Sequence, residues 1–300
     1  QPPILAWGVW ENYRALGEIE HLREALPRLE AYLRWDVENR DTNGNGLLEW
    51  HIEANERSRS GESGLDNSPR FDAATLLDAV DFSVFAARDM GYVARIAREL
   101  GETERANEWE ERSRALSARV HEYLWHEEDG FYYDRGMDGE WSRVRAVTGL
   151  LPLLLDDIPA ERVDVLVDTL LDPAHFGTAF PVPSVAASHP EFSTDMWRGA
   201  TWLNLNYLVF LGLQAQGRDA EASRLAEASL AFVDKYYREY GVLFEFYDSR
   251  DIVPPPECER KGPRRGPYDI RVKMDSIRDY HWTAAMTAIL LLDGYDIAAL

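Results

Sequence analysis

The sequence has little cysteine and little lysine. Its single cysteine, Cys258, excludes an internal disulfide framework, and with it zinc-finger and thiolate-cluster sites. Only Lys235, Lys261 and Lys273 are lysines, so arginine carries almost all of the positive charge. With 32 basic and 53 acidic residues the formal net charge is −21. A chain with this much negative charge is not expected to bind nucleic acid, which is itself a polyanion.

Long apolar runs and several catalytic motifs are also missing. No stretch approaches the ~20 apolar residues that a membrane span needs, so no membrane association is expected. The start, Gln1-Pro2-Pro3, lacks a charged region and an apolar core; no signal peptide is visible, and we expect a cytoplasmic protein. The absence of an initiator methionine suggests that the sequence begins inside a longer protein. Zinc-protease, nucleophile-elbow, phosphate-loop and dinucleotide motifs do not occur, so no cofactor is expected to be required.

Helical periodicity dominates the 300 residues, and we predict one all-α domain over 1–300. Mainly apolar helices are predicted to be buried, and helices with a single apolar stripe to lie at the surface. Alternation of the two types is typical of an α/α toroid, in which an inner ring of helices is wrapped by an outer ring. A small β-hairpin is predicted around 130–141. The apolar helices are predicted at 4–16, 199–216 and 282–292, and the amphipathic ones at 19–38 (with a second segment starting at Pro27), 103–125 and 219–240. Further helices are predicted at 73–100, 146–155 and 160–171.

Polar and aromatic residues are concentrated just before the predicted inner helices. In a toroid these positions lie at one end of the central cavity, where a carbohydrate site needs polar groups for hydroxyls and aromatic rings for C–H faces. Local interpretations remain open. Within 62–70, Ser68 is also a plausible helix cap followed by Pro69, and Glu245, set among apolar neighbours, is either a satisfied buried acid or a functional one.

Several segments resemble glycoside hydrolase family 63 and its bacterial mannosylglycerate and glucosylglycerate hydrolase relatives. Glu62-Ser-Gly-Leu-Asp-Asn-Ser-Pro-Arg70 resembles the signature loop of that family. The segment Trp197-Arg-Gly-Ala-Thr-Trp-Leu-Asn-Leu-Asn-Tyr207 is similar to its Trp-Arg-Gly-Pro segment. Phe244-Glu-Phe-Tyr-Asp248 is similar to the segment that holds the catalytic base, and His281-Trp-Thr283 to the closing aromatic motif. The resemblance spans nearly the whole chain, in the right order.

The resemblance implies an inverting hydrolase of α-linked glucose or mannose on a six-hairpin α/α toroid, (α/α)6. By position, Asp66 would be the general acid and Glu245 the general base of the two-carboxylate mechanism. The expected substrate is a small α-glycoside, such as glucosylglycerate, mannosylglycerate or a short α-glucan. The residues expected to bind it are Gln1, Trp7, Trp50, Glu62, Asn67, Arg70, Trp197, Arg198, Trp202, His281 and Trp282.

Two departures from the family pattern affect these expectations. Met196 replaces the usual aromatic residue and Ala200 the usual proline, which puts sugar stacking near Trp197 in doubt. About nine helices are predicted where a closed toroid has twelve. We therefore expect the amino-terminal helices to be missing or the toroid to be open, and an open toroid would expose an apolar seam or self-associate.

Two further segments have alternative interpretations. Asp41-Thr-Asn43-Gly-Asn45-Gly matches the start of a calcium loop, but Ile52 stands where the bidentate acid is expected, so an Asn/Gly turn competes with a structural calcium site at Asp41, Asn43 and Asn45. The basic stretch 259–265 is expected to pair with neighbouring carboxylates; alternatively, Arg264, Arg265 or Arg271 receives a substrate carboxylate.

Two competing functions remain. A non-catalytic carbohydrate-binding or scaffold protein on the same toroid would retain the aromatic pocket without turnover. An isomerase would need a histidine pair in the cavity, for which only His281 is well placed and the position of His51 is uncertain.

Overall fold

The structure is a computed structural model that describes residues 1–55, 58–262 and 275–292. The chain divides into two compact units. The first contains Gln1–Glu53, Ser60–Gly64 and Ala74–Arg143, and the second contains Ala54–Arg59, Leu65–Ala73 and Val144–Leu300. The single domain over 1–300 stays a prediction.

The first unit is organised around one buried helix. Its helices are α1 (Leu5–Leu16), α2 (Ile19–Asn39), α3 (Val80–Glu99) and α4 (Thr103–Tyr123). Helix α3 is the centre, because 15 of its 20 residues are buried and it packs against the other three helices. Small residues such as Ala86, Ala87 and Ala94 on α3 allow this close approach.

The strands that the structure describes all lie in the first unit and are short. Strands β1 (Glu49–His51), β2 (Leu76–Asp78) and β5 (Arg135–Gly136) form an antiparallel sheet in the order β1-β2-β5. Strands β3 (Trp125–His126) and β4 (Phe131–Tyr132) form a two-stranded antiparallel pair. A bridge between Arg135 and Trp141 closes the turn at 136–140. The small hairpin predicted around 130–141 is therefore present, divided between two pairings.

The second unit packs helices around a cluster of aromatic side chains. Its α-helices are α5 (Ala160–Leu171), α6 (Leu203–Ala215), α7 (Asp219–Tyr240) and α8 (His281–Leu292), and a 3₁₀ helix runs over Val147–Leu154. Helix α6 packs against the 3₁₀ helix, α7 and α8. The cluster comprises Phe180, Leu203, Val233, Tyr236, Phe244 and Tyr247, and the last two flank the segment that carries Glu245.

The prediction that the mainly apolar helices are buried is wrong for two of them. On α1 only Ala6 is buried, and on α8 only Thr283 and Leu290. The chain is too sparsely packed at these two helices to cover them on all sides. The deeply buried helix is instead α3. Its mixed composition does not indicate burial, because Asp81 and Asp89 occupy buried positions where they have hydrogen-bond partners.

Two helix boundaries also differ from prediction. Helix α2 continues through Pro27 instead of restarting there, because Pro27 is exposed and solvent can satisfy the carbonyl that loses its partner. The helix predicted at 73–100 begins at Val80, because 76–78 forms β2. Among the described residues, no helix combines the length and the apolar character that a membrane crossing requires.

Candidate active site

Asp66 lies on a loop of the second unit that its own backbone organises. The N–H of Ser68 donates to the Leu65 carbonyl, and Pro69 opens a short 3₁₀ helix, as the capping interpretation predicts. The Ser68 hydroxyl, however, makes no capping hydrogen bond. Arg70, in the same loop, is 2% exposed, and its guanidinium lies 4.9 Å from the Phe71 ring centroid. This burial favours a supporting role over direct sugar contact.

Asn67 connects this loop to the segment around Trp197. Its side-chain oxygen accepts the Trp197 N–H at 3.1 Å, and its carbonyl accepts a bond from Arg198 at 3.1 Å. Arg198 also makes a two-pronged ion pair with Asp72 at 3.1 and 2.8 Å. Burial alone would lower the pKa of Arg198, but the hydrogen bonds and charge of Asp72 raise it. Asn67 and Arg198 thus fix the loop next to Asp66.

Trp197 and Trp202 stack directly on each other, with ring centroids 3.7 Å apart and an interplanar angle of 9°. Between them Gly199 has φ 154°, and a Cβ there would approach the Ser193 carbonyl oxygen to 2.5 Å, so only glycine fits. Both indoles are 2% exposed. The structure brings the two tryptophans together as predicted, but each stacks on the other, which leaves little ring surface for a sugar.

Glu245 is held on a segment that runs beside the tryptophan segment. Tyr247 and Thr201 exchange backbone hydrogen bonds of 2.8 and 3.1 Å, and the Glu245 N–H donates to the Ile277 carbonyl at 2.8 Å. The Glu245 side chain is 3% exposed. Arg260 donates to both of its carboxylate oxygens, at 2.7 Å from Nε and 3.1 Å from Nη2. A fork of this kind fixes the plane of a buried carboxylate and compensates its charge.

The residue after Arg260 contacts the other carboxylate. The Lys261 ammonium lies 2.7 Å from Asp66 Oδ2, and both side chains are partly exposed. Burial raises the pKa of Tyr280 to about 12, and the negative charges of Glu245 and Asp66 add to this effect. Because Arg260 and Lys261 are consecutive residues, their ion pairs bring Glu245 and Asp66, far apart in the chain, into one cluster of charges.

His281 and Trp282 join this cluster through Tyr280. Their rings lie 5.2 and 5.6 Å from the Tyr280 ring, which in turn contacts the edge of Trp202 at 6.4 Å. Both residues begin α8 and are exposed. Unlike the two buried tryptophans, Trp282 keeps ring surface available, with 39% of its area exposed.

Two predicted substrate-binding residues lie at the start of the first unit. Gln1 is exposed, and its carbonyl accepts a hydrogen bond from the Tyr32 hydroxyl at 2.7 Å. Trp7 stacks on Tyr92 at 6.5 Å and lies under the Arg88 guanidinium at 4.3 Å. Within this unit the side chain of Trp7 is thus already packed, whereas Gln1 is anchored through its backbone carbonyl.

Trp50 and Glu62, also of the first unit, have structural partners there. The Trp50 indole N–H donates to Asp81 at 2.9 Å, its ring stacks on Phe82, and it is 1% exposed. Glu62 receives a two-pronged ion pair from Arg40 at 3.0 and 2.7 Å. These contacts leave Trp50 neither a ring face nor a polar atom for a ligand, so its predicted role in substrate binding finds no support in the structure.

The Asp41-Asn43-Asn45 loop has its oxygens engaged by its own backbone. Both Asp41 carboxylate oxygens accept N–H bonds, from Asn45 and Gly46. The side-chain oxygens of Asn43 and Asn45 accept N–H groups two residues further on, and both amides donate to Asp78. No group of three or more His, Cys, Asp or Glu side chains in the described part of the chain is placed to hold a metal ion. The loop therefore has the hydrogen bonds of an Asn/Gly turn, and the calcium site stays a prediction.

The sequence interpretation missed Arg260, Lys261 and Tyr280 as parts of the site. The expectation that the basic stretch 259–265 pairs with neighbouring carboxylates is confirmed for Arg260 and Lys261. Nothing in the sequence indicated that the carboxylates would be Glu245 and Asp66. The alternative, a substrate carboxylate held by Arg264, Arg265 or Arg271, lies outside the described residues.

The geometry combines two carboxylates with different surroundings. Glu245 is buried and contacted by an arginine fork, whereas Asp66 is partly exposed and contacted by the ammonium of Lys261. Hydrolysis by a general acid and a general base requires two carboxyl groups in unlike environments. This is the arrangement found among glycosidases.

The mannosylglycerate hydrolase MGH1-like glycoside hydrolase domain matches residues 1–251. The chain therefore belongs to this family of glycoside hydrolase domains, as the resemblance predicts. It is 30% identical over 219 residues to an uncharacterised protein of Borreliella burgdorferi, covering 72% of this chain and 44% of that protein. It is also 30% identical over 186 residues to a mannosylglycerate hydrolase of Rubrobacter radiotolerans, covering 60% and 40%. The chain thus spans less than half the length of these two relatives.

A solved structure confirms the fold class. The crystal structure of the glycoside hydrolase family 63 mannosylglycerate hydrolase from Thermus thermophilus, in complex with glucose, matches with a TM-score of 0.73 at 24% identity. The match covers 97% of this chain and 75% of that one. The all-α toroid class with small β elements, predicted from the alternation of helix types, is that of this enzyme.

Proposed function

We propose that the chain is the catalytic part of an inverting α-glycosidase, with Asp66 as general acid and Glu245 as general base. The observation that carries the proposal is that two consecutive residues contact the two carboxylates, Arg260 pairing with Glu245 and Lys261 with Asp66. Family membership supports the reaction class.

In this mechanism the arginine fork orients the Glu245 carboxylate. The carboxylate oxygens that receive Arg260 retain further lone pairs, which accept a proton from a water attacking the sugar. Asp66 must carry a proton when it donates to the leaving oxygen. Since the Lys261 ammonium contacts Asp66 without substrate, we infer that Lys261 swings away as the glycoside enters.

The proposed substrate is an α-mannoside or α-glucoside with a small aglycone such as glycerate; a short α-glucan is the wider alternative. Two relatives, from Rubrobacter radiotolerans and Thermus thermophilus, are mannosylglycerate hydrolases, which supports this choice. The Thermus thermophilus enzyme has been solved with glucose, and with Tris and D-glycerate.

A small carbohydrate is thus the proposed partner, and self-association is proposed as well, from the exposed apolar helices α1 and α8. We keep the cytoplasm as the proposed location. A structural calcium ion remains a weaker proposal, because the donor oxygens of its loop already accept N–H bonds.

The first experiment substitutes each carboxylate by its amide. We expect Asp66→Asn and Glu245→Gln each to lower kcat on mannosylglycerate or glucosylglycerate by at least about 10²-fold, because each removes one proton-transfer group. Asp251→Asn is the matched control, since Asp251 lies in the same unit and has partners of its own, Lys235 and the Tyr236 hydroxyl, both at 2.6 Å. Near wild-type turnover in either amide variant would remove that residue from its role.

The stereochemistry is tested on the product. Proton NMR of the first-released sugar should show the β-anomer from an α-glycoside, and the two carboxyl groups should lie about 6.5–9.5 Å apart in a crystal structure. An α-anomer with a separation of about 5 Å would contradict inversion and indicate a retaining mechanism.

The competing function is a carbohydrate-binding protein without turnover. The Lys261–Asp66 ion pair favours it, because a permanently paired Asp66 cannot donate a proton. Calorimetry with mannosylglycerate distinguishes the two. Binding without hydrolysis, unchanged by Asp66→Asn, would establish the binding protein and exclude the hydrolase.

A further inference from the structure

The segment that carries Arg260 and Lys261 has an unusual backbone. Lys261 has φ 55° and Gly262 has φ 107°, so two successive residues occupy the left-handed region. A lysine adopts this conformation only when its surroundings stabilise it. Such a backbone turns consecutive N–H groups towards one side, where they form a small anion-binding concavity.

Asp195 occupies this concavity. Its Oδ1 accepts the Lys261 N–H at 2.6 Å, and its Oδ2 accepts the Gly262 N–H at 2.9 Å. The preceding residue, Thr194, extends the contact, because its hydroxyl oxygen accepts the Glu259 N–H at 3.3 Å. Asp195 is 8% exposed, so these charge-assisted bonds are shielded from solvent. Three N–H groups of one segment are thus held by two adjacent side chains.

The same residue contacts the loop of the candidate acid through its backbone. The Asp195 carbonyl accepts the Asn67 side-chain N–H at 3.3 Å, and the Asn67 oxygen accepts the Trp197 N–H at 3.1 Å. Asn67 directly follows Asp66. One residue therefore joins the loop of the candidate acid to the segment whose side chains contact both carboxylates.

This connection determines where the two cationic side chains point. Arg260 and Lys261 are neighbours in sequence, yet one contacts Glu245 and the other Asp66. The left-handed turn at Lys261 and Gly262 sets the directions in which these neighbouring side chains leave the backbone. If the Asp195 carboxylate is lost, the left-handed turn loses the acceptor of its two N–H groups, and we infer that the Arg260 fork is then no longer held in register with Glu245.

We propose that Asp195 is a positioning residue of the proposed hydrolase, acting through Arg260 to orient the base Glu245. The proposal rests on the proposed function, and it adds a residue whose carboxylate accepts the N–H groups of Lys261 and Gly262. It predicts that Asp195 and Arg260 act as one unit. Once either residue has been substituted, substituting the other should cause little further loss of kcat.

The test is a double-mutant cycle in kcat. Asp195→Ala should lower kcat by about 10²-fold with little change in KM, because a misplaced base affects the chemical step more than binding. Arg260→Met should cause a comparable loss, and the double variant should be no worse than the more impaired single variant. Asp195→Glu, which keeps the charge, should recover part of the activity. Additive losses, or a rise in KM at unchanged kcat, would overturn the proposal.

A matched control separates positioning from loss of stability. Glu49, in the first unit, is also a buried carboxylate that accepts two consecutive N–H groups, from Thr42 and Asn43 at 3.0 and 3.1 Å. Glu49→Ala should lower Tm as Asp195→Ala does but leave kcat unchanged. If both variants lose activity in proportion to Tm, Asp195 has only a structural role and the proposal fails. If the wild-type protein hydrolyses no glycoside tested, it is the proposed function that fails. This result is distinct from a failure of the positioning proposal, in which the wild-type protein is active.

Discussion

At the scale of single residues, each candidate catalytic carboxylate has a cation of its own: Arg260 contacts Glu245, and Lys261 contacts Asp66. The sequence indicated the two carboxylates but not these cations. Asp66 and Glu245 stand in motifs whose order along the chain is informative. Arg260 and Lys261 belong to a basic stretch, and the sequence contains 53 acidic residues with which that stretch could pair. Which carboxylate pairs with which cation depends on the left-handed turn at Lys261, and a lysine gives no sequence signal for positive φ.

Lys261 should compete with substrate for Asp66. Lys261→Met removes the ammonium, so we expect kcat/KM to rise about twofold to fivefold. A change of this size corresponds to the free energy that a partly exposed ion pair contributes. Lys235→Met is the control, because Lys235 pairs with Asp251 in the same unit. Steady-state kinetics on the same glycoside decides the question. A loss of kcat/KM specific to Lys261→Met would show that the lysine binds substrate instead.

At the scale of elements, composition predicted which segments are helical better than it predicted which helices are buried. Helices α5 and α7 have their predicted bounds. The prediction of burial failed because burial depends on neighbours that lie far away in sequence. The buried aspartates of α3 accept hydrogen bonds from Trp50 and from N–H groups of α1. On the apolar α1, by contrast, only Ala6 is buried. Amphipathicity describes a helix by itself and does not show how many partners surround it.

The 41–46 loop gives an element-scale prediction about metal removal. Because Asp41, Asn43 and Asn45 direct their oxygens to backbone N–H groups, the loop should fold without a cation. Treatment with a calcium chelator should therefore leave Tm unchanged by calorimetry, and adding calcium should not raise it. A calcium-dependent rise in Tm that Asp41→Ala abolishes would instead establish a metal site there.

At the scale of the whole molecule, the exposed apolar helices should govern association. Leu5 and Leu16 on α1 are 53% and 64% exposed, and Leu291 on α8 is 50% exposed. Surfaces of this kind favour contact with other chains. We expect concentration-dependent self-association in light scattering, which Leu5→Gln combined with Leu16→Gln should weaken at unchanged helix content. A monodisperse monomer at all concentrations would contradict the expectation.

The contact between Lys261 and Asp66 has a spectroscopic consequence because lysine is so scarce. Dimethylation with ¹³C-formaldehyde would place a reporter on the three lysine amines and on the terminal amine, giving a spectrum simple enough to assign by single substitutions. One of those signals would come from a nitrogen that sits 2.7 Å from the proposed proton donor. Because arginine carries almost all of the positive charge, few amines are available for labelling. The proposed catalytic site therefore contains one of the few amines at which an isotope label can be observed.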